Sequence, residues 1–313
     1  MRCRKLRVRA AAILPRVSAD LLFTSLLQEV EAFFQPQPDK PDETPAAILS
    51  ALWLSAAGQP RSIALATQNP LPPIDETAAG RLKALIQSKR QGMPLAHLTG
   101  RQSFLGVELL AGPEALIPRV ETEILGRAAL AQLQGKPAPL AIDVCTGSGN
   151  LALALAKHVP DARVFAADLA PEAVSLAERN AQFTGVADRV KFFAGDLFSP
   201  LKHLGLEGRC DLVTCNPPYI TSAKVAKLPV EISAHEPRLA FDGGAIGLSV
   251  VTRLLAEAPG FLKPGGALAF ELGLGQGAFL YRRVERLDWV ERLEAHRDGH
   301  GEIRALVAIK SSR

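Results

Sequence analysis

The chain has 313 residues, room for two domains, and its 48% apolar and 22% charged residues are an ordinary globular mix that can bury a core without disulfides. The net charge of +4 is unevenly placed. Residues 1–19 hold Arg2, Arg4, Lys5, Arg7, Arg9 and Arg16 and no acid; removing these six leaves −2 for the rest, which argues against a nucleic-acid-binding surface.

Such a leader suits a disordered tail, a start placed too far upstream, an Arg-rich organelle-targeting peptide or a phosphate-binding arm. Residues 20–34 read as a helix capped by Ser18 or Asp20, with Leu21, Leu22, Leu26, Val30, Phe33 and Phe34 at helical spacing. The polar break Gln35-Pro-Gln-Pro-Asp-Lys-Pro comes next, then helices at 45–56 and 75–91, with Pro70, Pro72 and Pro73 between them. Residues 20–100 are therefore expected to form a small helical domain. Ser103-Phe-Leu-Gly-Val-Glu-Leu-Leu has a turn at Gly106 between strand-like runs, so 101–119 reads as a β-hairpin linker.

From residue 120 to 313 helix and strand alternate. Strands are expected at 140–144, 163–167, 190–194, 210–215, 266–271 and 303–309, with another strand-like segment near 288–294 that would leave the last strand antiparallel. Helices are expected at 121–133, 149–158, 171–184, 247–261 and 276–286. This order predicts an α/β fold, a largely parallel sheet covered on both faces. The cysteines Cys3, Cys145, Cys210 and Cys215 form no C-x-x-C pair, and no histidines stand at i, i+4, so no metal is expected. Free thiols fit a reducing, cytoplasmic setting. No apolar run reaches the ~18 residues that span a bilayer.

Leu140-Ala-Ile-Asp-Val-Cys-Thr-Gly-Ser-Gly is a buried strand running into a glycine turn and a helix. Gly147 and Gly149 let the backbone approach a ligand closely. Asp143 beside a helix N-terminus suits a cationic ligand better than a pyrophosphate. S-adenosylmethionine, with an ammonium, a sulfonium and no phosphate, fits that requirement. Asp168 ends the next strand, where an acid accepts both ribose hydroxyls. Asp196 comes after the third strand and can reach an adenine amino group, with Leu197 covering the ring. The candidate cofactor residues are Asp143, Thr146, Gly147, Ser148, Gly149, Asp168, Leu169, Asp196, Leu197 and Asn216. A nicotinamide dinucleotide is the alternative, but position 152 is Ala where G-x-G-x-x-G needs its third glycine.

The sharpest motif is Cys210-Asp-Leu-Val-Thr-Cys running into Asn216-Pro217-Pro218-Tyr219. Two prolines stiffen a loop at the end of a buried strand, where the crevice of an open α/β sheet lies. An amide nitrogen is a poor nucleophile because its lone pair is delocalised, and full deprotonation is too costly near neutrality. The Asn216 side-chain oxygen and the Pro217 carbonyl can instead accept its two protons, and Tyr219 can stack on its plane. The expected catalytic residues are Asn216, Pro217, Pro218 and Tyr219. His235, the nearest histidine, is read as holding the loop rather than as a base.

These motifs resemble the HemK/PrmC family of protein-(glutamine-N5) methyltransferases. The likeness runs from about residue 93 to the C-terminus. It includes Pro94-Leu-Ala-His-Leu-Thr-Gly, Leu116-Ile-Pro-Arg-Val-Glu-Thr-Glu, the Asp143 loop, the Asn216 tetrapeptide, His235-Glu-Pro-Arg-Leu-Ala-Phe-Asp-Gly-Gly and Leu262-Lys-Pro-Gly-Gly. The resemblance implies a seven-stranded, Rossmann-like methyltransferase domain, a hairpin linker and a helical substrate-recognition domain. It implies a protein substrate, a peptide chain release factor modified at its Gly-Gly-Gln loop. The enzyme is expected to be a monomer with no stable nucleic-acid partner and no membrane partner. Departures are Val120 before Glu-Thr-Glu, Cys145 for a glycine, Leu197 where Trp is common, and Glu271-Leu-Gly-Leu-Gly-Gln-Gly. They bear on the substrate, so a ribosomal protein stays open. Adenine-N6 methylation of nucleic acid also stays open, because that chemistry shares the tetrapeptide.

Overall fold

The computed structural model describes residues 16–37, 39–227 and 233–312. Of the basic leader, residues 1–15 lie outside them. The chain divides after Gly100 into two units.

The first unit is helical. Helices α1 (Arg16–Phe33), α2 (Pro45–Ala56), α3 (Ile63–Ala66), α4 (Glu76–Arg90) and α5 (Leu95–Thr99) surround a core of Leu26, Val30, Ile48, Leu49, Leu52, Trp53, Leu82 and Ile86. Two starts obey the capping rule: Thr44 accepts from Ala47 N at 3.3 Å and Asp75 from Ala78 N at 2.7 Å. The first helix begins four residues before its expected start, so Ser18 and Asp20 lie inside it rather than at its cap. The short α3 and α5 carry too few turns for periodicity to reveal them. Trp53 is buried and donates its indole N–H to Pro72 O at 2.8 Å, which ties the proline segment to the helical core.

The second unit opens with the hairpin β1 (Arg101–Phe104) and β2 (Val107–Leu110). Phe104, Val107 and Leu109 are buried in this unit's own core, so by packing the hairpin is part of the second unit. Seven strands then form one sheet: β3 (Leu140–Val144), β4 (Arg163–Asp168), β5 (Val190–Ala194), β6 (Cys210–Cys215), β7 (Leu262–Glu271), β8 (Val290–Arg297) and β9 (Ile303–Lys310). Their order is β5-β4-β3-β6-β7-β9-β8, parallel except that β9 runs antiparallel to both neighbours. Helices α6 (Thr122–Leu133), α7 (Asn150–His158), α8 (Pro171–Thr184), α9 (Ser222–Val225), α10 (Ser249–Phe261) and α11 (Gly277–Val284) complete the unit. The strand after α10 starts at Leu262, earlier than expected, because Leu262 already pairs with Cys210; the Lys-Pro-Gly-Gly that follows bulges out of the ladder, with Gly265 at φ 71°, and pairing resumes at Ala267. Two cores, one on each side of the sheet's alternating side chains, give the doubly covered α/β architecture.

Register places the site. Phe193, Ala167, Val144, Cys215 and Phe270 pair in one row across five parallel strands. The next residue in each strand or loop is therefore at the carboxyl edge: Ala194, Asp168, Cys145, Asn216 and Glu271. Strand order reverses between β3 and β6, the switch point at which such sheets open a crevice. Among the described residues no helix is long and apolar enough to cross a membrane.

One buried side chain joins hairpin, glycine loop and α8. Asn180 accepts from Leu110 N at 2.6 Å and donates to Leu110 O at 3.1 Å and Ser148 O at 3.0 Å. Replacing it leaves those backbone groups unpaired in a dry place. Asn180→Ala is therefore expected to lower unfolding free energy by on the order of 2–4 kcal/mol, read as a reduced urea midpoint. An unchanged midpoint would show that the staple is not needed.

Candidate active site

The crevice lies at the carboxyl edge of the sheet and opens to solvent. Cys145, Thr146, Gly147, Ser148, Asp168, Leu169, Asp196, Leu197, Asn216 and Pro218 all line it. Asp143, Gly149, Pro217, Tyr219 and His235 are not among its lining residues.

Asp143 sits behind the loop rather than in the crevice. It is fully buried and accepts from Thr146 Oγ1 at 2.6 Å and Thr214 Oγ1 at 2.7 Å. Burial pushes its carboxyl up to about 6, with the two threonine bonds pulling the other way. Gly149 starts α7 at φ 82°, where a Cβ would lie 3.1 Å from Ala177 Cβ and Leu153 Cδ1. Its absence of side chain lets the loop pack on α8. Cys145 lines the crevice, while Cys215 on the neighbouring strand is buried.

Asp168 is the acid the crevice presents. Its Oδ2 accepts from Gly147 N at 2.8 Å and its Oδ1 from Ala170 N at 2.9 Å, which aims the remaining lone pairs. Burial raises its pKa, and the backbone bonds from Ala170 and Gly147 oppose the rise. Asp196 also lines the crevice, but both its oxygens are held by Arg253 NH1, at 3.0 and 2.8 Å. Buried Leu197 is held at φ 46°, a costly backbone for a leucine, beside it.

The loop after β6 is braced on several sides. Asn216 Nδ2 donates to Thr122 Oγ1 at 3.2 Å, which leaves Oδ1 as its free acceptor. The Tyr219 hydroxyl donates to Glu271 Oε1 at 3.1 Å, and burial raises its pKa further above the usual phenol range. Gln276 Nε2 donates to Tyr219 O at 3.2 Å. A Cβ on Gly243 would come within 2.6 Å of Pro218 O, and one on Gly247 would overlap Tyr219 O. Those two glycines allow the 241–247 segment to lie directly on the loop. Ile220 N donates to Phe241 O at 3.0 Å and Gly243 N to Ile220 O at 2.8 Å, which joins the segments by backbone.

Sequence reasoning gave no role to several of these groups. Arg119 lines the crevice and pairs with buried Glu236 at 2.5 Å; Glu236 also accepts from Ile117 N at 2.9 Å. Thr122 and Glu271 contact the catalytic loop directly. Arg119, Thr122 and Glu236 fall in segments quoted for their resemblance and Glu271 in one quoted as a departure, but no spacing rule shows that 117–122 and 236–247 meet.

A seven-stranded sheet of this order, with a glycine loop, an acid after β4 and an Asn-Pro-Pro-Tyr loop at one edge, defines a Rossmann-like methyltransferase. Residues 125–234 match the family described as Methyltransferase small domain. The release factor glutamine methyltransferase of Moorella thermoacetica is 40% identical over 225 residues, 72% of this chain and 76% of that protein. That of Geobacter sulfurreducens is 39% identical over 234 residues, 75% of this chain and 77% of that protein. The chain belongs to the release factor glutamine methyltransferase family. Among solved structures, the hMettl16 catalytic domain in complex with MAT2A 3'UTR hairpin 6 matches at a TM-score of 0.50 and 18% identity, covering 66% of this chain and 76% of that one, a likeness of fold alone.

The Asp143 carboxyl sets a pH dependence of stability. The folded chain holds its proton up to about 6 and the unfolded chain only to about its ordinary 3.8. The associated stability is full below the lower value and is lost as pH rises through the upper, by on the order of 3 kcal/mol. Asp168 adds a slope of the same sign. Asp143→Asn is expected to flatten most of that decline, measured as urea midpoints between pH 4 and 7. An identical pH profile in the variant would show that Asp143 is not the titrating group.

Proposed function

We propose that this enzyme transfers the methyl group of S-adenosylmethionine to the side-chain N5 of the glutamine in the Gly-Gly-Gln loop of a peptide chain release factor. The names of its relatives support the substrate. The observation that carries the chemistry is Asn216, whose NH₂ is taken by Thr122 so that Oδ1 remains to accept at the crevice.

The crevice chemistry fits the cofactor. Asp168 would accept the ribose hydroxyls with lone pairs not used by Gly147 and Ala170. Leu169 and Leu197 would supply apolar surface, and Asp196, which lines the crevice and is bound by Arg253, would accept from an adenine amino group. The cofactor supplies an electrophilic methyl on a sulfonium. The protein's part is to hold the amide: Asn216 Oδ1 and the Pro217 carbonyl accept its two protons and favour the positive charge that develops on nitrogen. Pro218 lines the approach, and Tyr219, held by Glu271 and Gln276, fixes the loop's end. Positioning of this kind supplies much of a rate when no strong base is used. The proposal extends to a cytoplasmic monomer whose residues 20–100 recognise the release factor.

Labelled cofactor incubated with release factors, ribosomal proteins or bulk nucleic acid tests the substrate; label in nucleic acid alone would end the protein reading. Asn216→Ala is expected to keep cofactor affinity and lose ~10²-fold or more in turnover. Unchanged turnover would remove Asn216 from the mechanism. Asp168→Ala is expected to weaken cofactor binding by ~1–3 kcal/mol by calorimetry; equal affinity would refute the ribose contact.

A further inference from the structure

Large apolar side chains exposed one at a time are ordinary on a protein surface, whereas several in one place mark a contact. Among the described residues of the second unit, the three most exposed are Ile246 at 71%, Leu274 at 68% and Phe279 at 56%. They come from two segments apart in sequence, and one side chain joins those segments. Gln276 Oε1 accepts from Gly273 N at 3.0 Å, and its Nε2 donates to Gly247 O at 3.4 Å and to Tyr219 O at 3.2 Å. Ile246 precedes Gly247, Leu274 follows Gly273, and Phe279 stands nearly one turn after Gln276 along α11.

The group borders the catalytic loop. Gly247 and Gly273 both lie against Tyr219: a Cβ on the first would overlap its carbonyl oxygen, and one on the second would lie 2.8 Å from its ring at Cδ2. The segment that ends at Gly247 also carries Leu239, which is 47% exposed and lines the crevice. Exposed apolar surface therefore begins at the mouth of the crevice and continues past Tyr219 to α11.

We propose that Ile246, Leu274 and Phe279 form the docking surface for the release-factor polypeptide that flanks the target glutamine. This rests on the reading of Asn216 as the acceptor for a Gly-Gly-Gln substrate. With the cofactor on the Asp168 and Asp196 side, a chain that brings its glutamine to Asn216 crosses the Tyr219 side, where this surface lies. The crevice can read little of such a target: two of its residues have no side chain, and the third offers an amide that every glutamine carries. Selection among proteins therefore needs contacts outside the crevice. Ile246, Leu274 and Phe279 carry no charge, so the flanking side chains they take are apolar.

The test uses the full chain, a purified release factor and S-adenosylmethionine. Because the three side chains are exposed, a triple variant with Ile246→Ser, Leu274→Ser and Phe279→Ser is expected to keep its urea midpoint and its cofactor affinity. Its KM for the release factor should rise about tenfold or more, with kcat within about twofold. Calorimetric affinity for the release factor in the presence of S-adenosylhomocysteine should fall by the same factor. Leu204, an exposed leucine in the turn that leads into β6 at the amino edge of the sheet, is the control; Leu204→Ser should leave both quantities unchanged. An unchanged KM in the triple variant overturns the inference. So does a fall in kcat at constant KM, which would make these residues braces of the catalytic loop. So does a wild-type dimer that the triple variant dissolves with no change in KM, which would assign the surface to a second copy. A wild-type enzyme that neither methylates nor binds release factors is a separate result: it removes the substrate itself, and the occupant of this surface with it.

Discussion

A carboxylate shut away from water must be met by donors, and here Asp143 is the one on which both functional loops depend. Its two oxygens take the hydroxyls of Thr146 and Thr214. Thr146 is in the glycine loop after β3; Thr214 is two residues before Asn216 on β6. One buried group therefore fixes the loop that lines the cofactor side of the crevice against the strand that launches the catalytic tetrapeptide. Its desolvation is costly, and the two threonine bonds offset part of that cost. A shift of either loop would leave charge without a partner, so the distance between the two sides of the crevice is held by electrostatics as well as by strand pairing.

The charges that face the crevice share a pattern. Glu114 pairs with Arg179, Asp196 with Arg253, Asp242 with Arg238, and the Arg119 guanidinium with Glu236. Asp168 differs: its donors are the backbone N–H groups of Gly147 and Ala170, and no cation pairs with it among the described residues. Backbone donors orient a carboxylate without neutralising its charge. The crevice thus keeps an acceptor-rich, negative point at the end of β4, suited to hydroxyls and positive charge and hostile to a pyrophosphate. Asp143, which the sequence suggested as a direct ligand contact, serves that point from behind.

The alternation of helices and strands was legible because each strand of the parallel sheet is a short, nearly continuous apolar run, and Leu140–Val144 and Cys210–Cys215 stand out from any reading of periodicity. The tetrapeptide was legible because Asn-Pro-Pro-Tyr directly after such a run has a narrow set of uses. What stayed hidden was every contact made across the fold. Nothing local in Leu116-Ile-Pro-Arg says that Arg119 will meet Glu236, 117 residues away, or that Thr122 will hold Asn216. Gly243 and Gly247 look like ordinary turn residues until Pro218 O and Tyr219 O are seen where their side chains would be. The pairing of Asp196 with Arg253 was hidden for the same reason: an acid at a strand end carries no mark of its partner.

The crevice also bears on how an inert amide can be methylated without a base. Among the described residues that line it there is neither histidine nor lysine, and its carboxylates are paired or bound by backbone. A general base of ordinary strength would gain little, because the amide proton leaves easily only once nitrogen has begun to bond to carbon. Neutral acceptors are better matched to that order of events: they hold the protons in place while charge accumulates and release one to solvent afterwards. Their value depends on not moving, since an acceptor that must reorient during the reaction loses much of its stabilising effect. The bracing of this loop by Thr122, Glu271, Gln276 and the two glycines is what such chemistry requires, and it explains why so much buried polar structure surrounds a tetrapeptide that contains no ionisable side chain except a phenol.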